Sequence, residues 1–273
     1  MAELTRRILV ALFGIPILMT ATFLGDWFFF SVIVIISSVS QWEFYKIQTK
    51  KEIFPQSITG VIVGLAILLC INTREWVIID SILIMALMFI LANEMFRRYK
   101  NISANIGVTL LGILYIPLFL GTLVYIRSYV DQIWAGTPFA GFKFVMAIFI
   151  SIWICDTFAY GFGKRFGRRK LYEKVSPNKT LLGGIAGIIG SILVFSIITF
   201  SDVLPLTWWQ ALIFGIVIGI VGQTGDLVES WFKRDAGVKD TSNLLPGHGG
   251  MLDRFDSIIF VSPAVFILIS ILF

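Results

Sequence analysis

Nine apolar runs follow one another along this chain, and they restrict its possible folds more than any other feature. Each run is close to the length that a helix needs to cross the hydrocarbon core of a bilayer. Because 57% of the 273 residues are hydrophobic, a soluble fold would have far too little polar surface. The sequence therefore predicts an integral membrane protein. The runs are 8–24, 27–47, 57–71, 76–92, 106–126, 142–162, 181–200, 208–228 and 255–273.

The positions of the basic residues indicate how these runs are oriented. If the N-terminus is cytoplasmic and the spans alternate, nineteen of the 22 Lys and Arg residues fall in cytoplasmic segments. We therefore expect an all-α polytopic protein with about nine transmembrane helices, a cytoplasmic N-terminus and an external C-terminus. A signal peptide is the alternative for the first run. No repeat or linker marks a boundary, so residues 1–273 are predicted to form a single membrane domain.

Net charge and cysteine positions exclude several classes of protein. The net charge of +5 suits anionic lipid head groups, and no basic-aromatic module for nucleic acid is evident. Cys70 and Cys155 both lie inside apolar runs, and no Cys/His spacing typical of zinc sites occurs. We therefore expect membrane lipids and no nucleic acid among the partners, while a homodimer stays open.

The longest strongly polar segment lies between the last two spans, from Ser230 to Asp256. Basic groups and glycine amides suit phosphate, whereas clustered carboxylates suit a hard divalent cation. Two acids that end span eight, Asp226 and Glu229, have i, i+3 spacing and can share a helix face. The charged residues of the segment itself are Lys233, Arg234, Asp235, Lys239, Asp240, Asp253, Arg254 and Asp256, and its histidine, the only one in the chain, is His248.

Simpler interpretations stay open for these residues. Asp253 and Asp256 begin span nine, where acids cap helices and favour the helix dipole. The basic residues could serve only as topology signals. Asp156 in span six could be a buried, hydrogen-bonded acid, although acids inside membrane spans are usually functional.

Residues 230–256, SWFKRDAGVKDTSNLLPGHGGMLDRFD, resemble the signature of CDP-diacylglycerol synthases, also called phosphatidate cytidylyltransferases. A second element, SPNKT at residues 176–180, resembles another motif of that family. Here the chain departs from the family pattern, because Leu182 stands where the family often has an acid. The two elements together cover only a small part of the chain.

The resemblance implies an enzyme of phospholipid biosynthesis that converts CTP and phosphatidic acid to CDP-diacylglycerol and pyrophosphate at the cytoplasmic face of the plasma (inner) membrane. It implies Mg²⁺, with a second cation left open, held by Asp226, Asp253 and Asp256. Lys239 and His248 join these three acids as candidate catalytic residues. The candidate substrate-binding residues are Asp156, Ser176, Lys179, Thr180, Lys233, Arg234, Asp240, Gly249, Gly250 and Arg254.

Two other functions compete with this interpretation. Another metal-dependent lipid phosphotransferase would need acidic groups too, but the paired-aspartate motif of the CDP-alcohol phosphotransferases is absent from the sequence. An ion-coupled transporter could use Asp156 and Asp226. Such a transporter is expected to contain inverted repeats, and the sequence shows none.

Overall fold

The structure is a computed structural model that describes residues 2–245, 247 and 249–273, without the side chains of residues 2–11. Helices make up most of the described chain, as the apolar runs predict. One 3₁₀ turn, Thr49–Lys51, follows the second helix. The helices are α1 (Ala2–Leu24), α2 (Asp26–Gln48), α3 (Ser57–Thr73), α4 (Trp76–Phe96), α5 (Ile102–Tyr115), α6 (Pro117–Ile133), α7 (Ala140–Phe166), α8 (Leu181–Phe200), α9 (Trp208–Asp235) and α10 (Leu252–Leu272).

Seven helical segments among the described residues are long and apolar enough to cross a membrane. Two shorter apolar helices, Leu12–Leu24 and Ser57–Thr73, coincide with the first and third predicted spans. The prediction of an all-α polytopic membrane protein is thus confirmed, whereas the count of nine spans and the orientation of the termini stay predictions. The seven segments are Asp26–Lys51, Trp76–Phe96, Ile102–Ile133, Ala140–Phe166, Leu181–Phe200, Trp208–Asp235 and Leu252–Leu272.

The fifth predicted span is interrupted near its middle. Helix α5 ends at Tyr115, and α6 begins at Pro117. Proline has no backbone N–H, and its ring clashes with the preceding helical turn. The backbone at Ile116 accordingly leaves ideal helical angles, at φ −100° and ψ −66°. The chain nevertheless continues through Ile102–Ile133 as one apolar segment.

A short antiparallel hairpin lies in the basic segment between predicted spans six and seven. Strands β1 (Lys170–Tyr172) and β2 (Ser176–Thr180) pair with Lys170 opposite Thr180. Thr180 ends the hairpin and caps α8, because its side chain accepts a 3.2 Å hydrogen bond from the amide of Gly183. Strands this short leave no readable alternation in a basic segment, so only the structure reveals them.

The described residues form two compact units, 2–125 with the described part of 233–255, and 126–232 with 256–273. In the first unit, isoleucines of α3, α4 and α5 form a buried cluster. In the second, α7 packs closely on α8, since a Cβ on Gly187 would lie 2.9 Å from Cys155 Sγ. The single membrane domain stays a prediction.

Candidate active site

A pocket that contains charged side chains lies within the second unit, at the junction of α7, the hairpin, α8 and α9. Its volume of about 470 Å³ is in the range of small-molecule sites. Acidic, basic and amide side chains line it together with glycines, which is unusual in so apolar a chain. The lining residues are Asp156, Ala159, Tyr160, Lys164, Leu171, Asn178, Lys179, Thr180, Gly183, Gly184, Gln223 and Asp226.

Opposite charges meet in this pocket. Lys179 Nζ lies 2.5 Å from Asp226 Oδ2, and Ser230 Oγ donates to Asp226 Oδ1 at 3.3 Å. Asp256 interacts electrostatically with both Asp226 and Asp156 and with the Lys179 ammonium. Asp156 and Asp226 of the pocket and the neighbouring Asp256 therefore share one region with Lys179.

A glycine on α9 brings two of these carboxylates together. A Cβ on Gly225 would lie 2.8 Å from the carbonyl oxygen of Asp256 and 2.9 Å from Phe260 Cβ. Only glycine allows α9 and α10 to approach this closely without a shift of the backbone. Asp226 follows Gly225 directly, so this close packing places its carboxylate beside Asp256.

The first unit contains a polar loop within residues 236–251, described except at positions 246 and 248, that is anchored by Asp253 at the start of α10. The Asp253 side chain is only 3% exposed. Its Oδ1 accepts from Lys233 Nζ at 2.7 Å, and its Oδ2 accepts from the amides of Thr241 and Gly250 at 3.0 and 2.7 Å. Donors of this chain thus occupy both carboxylate oxygens of Asp253.

Glu43 of α2 is a second anchor of this loop, and sequence reasoning missed it. The residue is only 3% exposed. Its Oε1 accepts from Ser242 Oγ at 2.5 Å and from the Met251 amide at 3.1 Å, and its Oε2 accepts from the Leu252 amide at 2.8 Å. The Thr241 hydroxyl lies 3.2 Å from Oε2 and shares its proton with Asp253. An acid inside an apolar run was the signal that could have identified it.

The two glycines after His248 leave room for the carboxylates of Glu43 and Asp253. A Cβ on Gly250 would lie 2.5 Å from Glu43 Oε2, and one on Gly249 would lie 2.7 Å from Asp253 Oδ2. Gly249 also has φ +80°, a region that favours glycine. Phosphate binding by the two glycines stays a prediction, and the structure adds that their lack of side chains lets the carboxylates approach the backbone.

The structure brings some predicted site residues into the pocket and leaves others outside it. Asp156, Lys179, Thr180 and Asp226 line the pocket, and Glu229 is buried on α9. His248 lies outside the described residues. The other predicted residues do not line this pocket: Lys233 pairs with Asp253, Ser176 is half-buried in β2, Arg234 donates to the carbonyl of Val238, and Lys239, Asp240 and Arg254 are exposed.

The acidic residues of the pocket fit a hard cation in their chemistry. Carboxylate oxygens are the ligands that Mg²⁺ prefers, together with waters and substrate phosphates. Asp226 and Asp256 are the two adjoining carboxylates that supply such oxygens. Among residues 2–245, 247 and 249–273, no group of three or more His, Cys, Asp and Glu side chains is arranged as a ligand set. The inclusion of Asp253 in a metal site stays a prediction from the sequence.

Comparisons with known proteins match one family along almost the whole chain. Residues 5–272 match the Cytidylyltransferase family. The chain is 31% identical over 289 residues to the phosphatidate cytidylyltransferase of Synechocystis sp., covering 98% of this chain and 97% of that protein. It is 29% identical over 278 residues to the phosphatidate cytidylyltransferase of Bacillus subtilis, covering 99% of each.

A shorter stretch is more similar to a third relative. Over 129 residues the chain is 47% identical to the phosphatidate cytidylyltransferase of Staphylococcus haemolyticus. This match covers 47% of the chain and spans about half the length of that relative, 50%. The two longer matches extend the similarity to both units of the structure.

Proposed function

The chain belongs to the cytidylyltransferase family, and on that premise we propose that it transfers the cytidylyl group of CTP to phosphatidic acid. The products are CDP-diacylglycerol and pyrophosphate, and the pathway is phospholipid biosynthesis. The observation that carries the proposal is the charged pocket of a membrane protein, where Lys164 and Lys179 meet Asp156 and Asp226, with Asp256 close to both acids. A lipid head group and a soluble nucleotide can both reach such a site only near the membrane surface.

The reaction needs positioning and charge neutralisation, and it needs no covalent nucleophile. An oxygen of the phosphatidate phosphate attacks the α-phosphorus of CTP, and the bond from that phosphorus to the bridging oxygen of the β-phosphate breaks. Pyrophosphate leaves with the electron pair. Phosphatidate is already an anion, so no strong general base is required. Lys164 and Lys179 supply positive charge for phosphate oxygens at the pocket.

Asp226 and Asp256 are the residues that would hold Mg²⁺. When bound, the cation neutralises triphosphate charge and stabilises the leaving pyrophosphate. Lys179 is paired with Asp226, so the ammonium is placed to exchange its carboxylate partner for a substrate phosphate. The same lysine therefore both balances the acids before substrate arrives and binds the nucleotide or lipid afterwards.

Purified protein in detergent, given radiolabelled CTP, phosphatidic acid and Mg²⁺, is expected to produce a labelled lipid and pyrophosphate. Formation of both products in equal amounts is the measurement that checks the transfer. Diacylglycerol in place of phosphatidic acid is the matched control, because it lacks the phosphate that attacks. Labelled lipid formed equally well from diacylglycerol would contradict the proposal.

Activity is expected to require a divalent cation and to prefer CTP. Excess chelator should abolish lipid labelling, and added Mg²⁺ should restore it, because the pocket's carboxylates need a cation before they accept a triphosphate. ATP should be a much poorer substrate. Full activity in excess chelator, or equal use of ATP, would contradict this expectation.

We also propose that the pocket faces the cytoplasm from a plasma membrane, with nine spans. The basic residues of segments 164–179 and 233–254 support this orientation. In a variant without Cys70 and Cys155, Asn243→Cys is expected to react only with reagents that enter the cell. Ser201→Cys, in a predicted external loop, is the matched control and should react with an impermeant reagent. External labelling of Asn243→Cys would reverse the orientation.

A further inference from the structure

Gln223 lies on α9 three residues before Asp226 and lines the same pocket, but the reaction outlined above gives it no role. Its Nε2 donates to the carbonyl of Gly219 at 2.8 Å and to the carbonyl of Gly184 at 3.0 Å. Both partners are backbone carbonyls, which only accept hydrogen bonds, so the amide nitrogen must point to them. The orientation of the whole side-chain amide is therefore determined.

The amide oxygen is the end that remains for a ligand. Within the described part of the chain, both hydrogen bonds from Gln223 to carbonyls are made by Nε2, and the side-chain amide also interacts with the Cys155 thiol. A Cβ on Gly184 would lie 3.1 Å from this oxygen, and both residues line the pocket. The two ends of the side-chain amide thus differ. The nitrogen joins α9 to α8 by a hydrogen bond, whereas the oxygen is a hydrogen-bond acceptor held in a fixed orientation beside the pocket.

We propose that Gln223 Oε1 accepts a hydrogen bond from the nucleoside part of CTP and so contributes to nucleotide selection. This inference rests on the proposed function. Of the two substrates, fully ionised phosphatidate offers no N–H or O–H donor, while CTP carries a 4-amino group and the 2′- and 3′-hydroxyls of its ribose. A fixed acceptor in the pocket therefore complements the nucleotide and not the lipid.

The position of Gln223 on the helix is consistent with this role. Residues at i and i+3 share a helix face, and their separation along the axis is about 4.5 Å. If Asp226 lies near the reacting phosphate, Gln223 lies about 4.5 Å from Asp226 along the helix axis, on the same face of α9. A nucleoside is joined directly to that phosphate, so its hydroxyls or amino group can occupy this neighbouring position.

The test compares kcat/KM for CTP, UTP, 2′-deoxy-CTP and 3′-deoxy-CTP in the wild type and in Gln223→Leu. Each analogue lacks one of the three candidate donors. A site that hydrogen-bonds a substrate group discriminates against the analogue without it. We expect the wild type to disfavour one analogue, and Gln223→Leu to use CTP about tenfold less well while losing the preference over that analogue. The analogue affected identifies the donor.

Gly184→Ala is a second variant, and it keeps the hydrogen bond by which Gln223 joins α9 to α8. The added methyl would crowd Oε1 from 3.1 Å and leave both Nε2 bonds in place. It should weaken the same preference that Gln223→Leu removes. Thr224→Val, an exposed neighbour on α9 whose hydroxyl bonds only its own helix, is the control and should keep wild-type ratios.

The outcomes separate this inference from the proposed function. A wild type that makes no CDP-diacylglycerol from CTP would overturn the function itself. A wild type that is active but uses all four nucleotides equally would overturn the role of Gln223. An equal loss of kcat/KM for CTP and for every analogue in both variants would also overturn the role of Gln223. Hydrogen bonds that only hold α9 against α8 cannot change the ratio of kcat/KM between nucleotides.

Discussion

Asp226→Asn is expected to lower kcat by roughly a hundredfold or more. The substitution is nearly isosteric, so packing should survive, but the carboxylate that pairs with Lys179 and adjoins Asp256 loses its charge. A bound metal ion contributes several kcal/mol of charge stabilisation in the transition state. Since about 1.4 kcal/mol corresponds to a tenfold change in rate, loss of much of that stabilisation exceeds a hundredfold.

The measurement is turnover by folded, monodisperse variants across a range of Mg²⁺ concentrations. Asp256→Asn should show a similar loss, and the double variant should be little worse, because groups that act as a unit are not additive. Asp235→Asn is the matched control on the same helix. Its partly exposed ion pair with Lys51 contributes little, so activity should stay within about twofold. Near-normal turnover in both Asp226→Asn and Asp256→Asn would show that these acids hold no metal.

Much of the helical architecture could be predicted from the sequence, because run length and hydropathy act locally. The nine apolar runs all fall on helices, but the fifth was predicted without the break that the structure has at Pro117. The hairpin could not be predicted, since its strands depend on pairing rather than on an apolar pattern. The two compact units were not visible either, because residues 233–255 join the first unit across a long sequence separation.

The candidate site could be predicted only in part, for a related reason. Motif resemblance identified Lys179 and Asp226, and the rarity of acids inside apolar spans identified Asp156; the structure places all three in one pocket. It did not identify Gln223 or Glu43, whose importance depends on what they contact. Glu43 meets partners about 200 positions later in the chain. No local pattern encodes such a contact, although a lone acid in an apolar run indicated that one was needed.

That contact makes Glu43→Ala the second substitution with a large expected effect. The side chain is buried, and its carboxylate accepts from Ser242 and from the amides of Met251 and Leu252. Truncation to alanine leaves the buried Leu252 amide and the half-buried Ser242 and Met251 donors without this acceptor, and a donor that stays buried and unpaired costs about 1–3 kcal/mol. The loss of several kcal/mol should release the loop from α2, because the two amides lie where α10 begins. We expect a lower Tm, faster proteolysis within residues 236–251, and turnover reduced at least a hundredfold.

Glu43→Gln distinguishes positioning of the loop from general stability. One oxygen is kept, so about half of the hydrogen bonds should survive, and activity should recover partly relative to Glu43→Ala. A residue that only stabilises the fold would lower Tm while the surviving folded protein kept wild-type kcat. A residue that positions the loop should lower kcat in folded protein as well. Glu75→Ala, an exposed acid at the start of α4 with no side-chain cap bond, is the matched control and should leave Tm and kcat unchanged. Wild-type Tm and kcat in Glu43→Ala would show that the polar loop needs no anchor on α2.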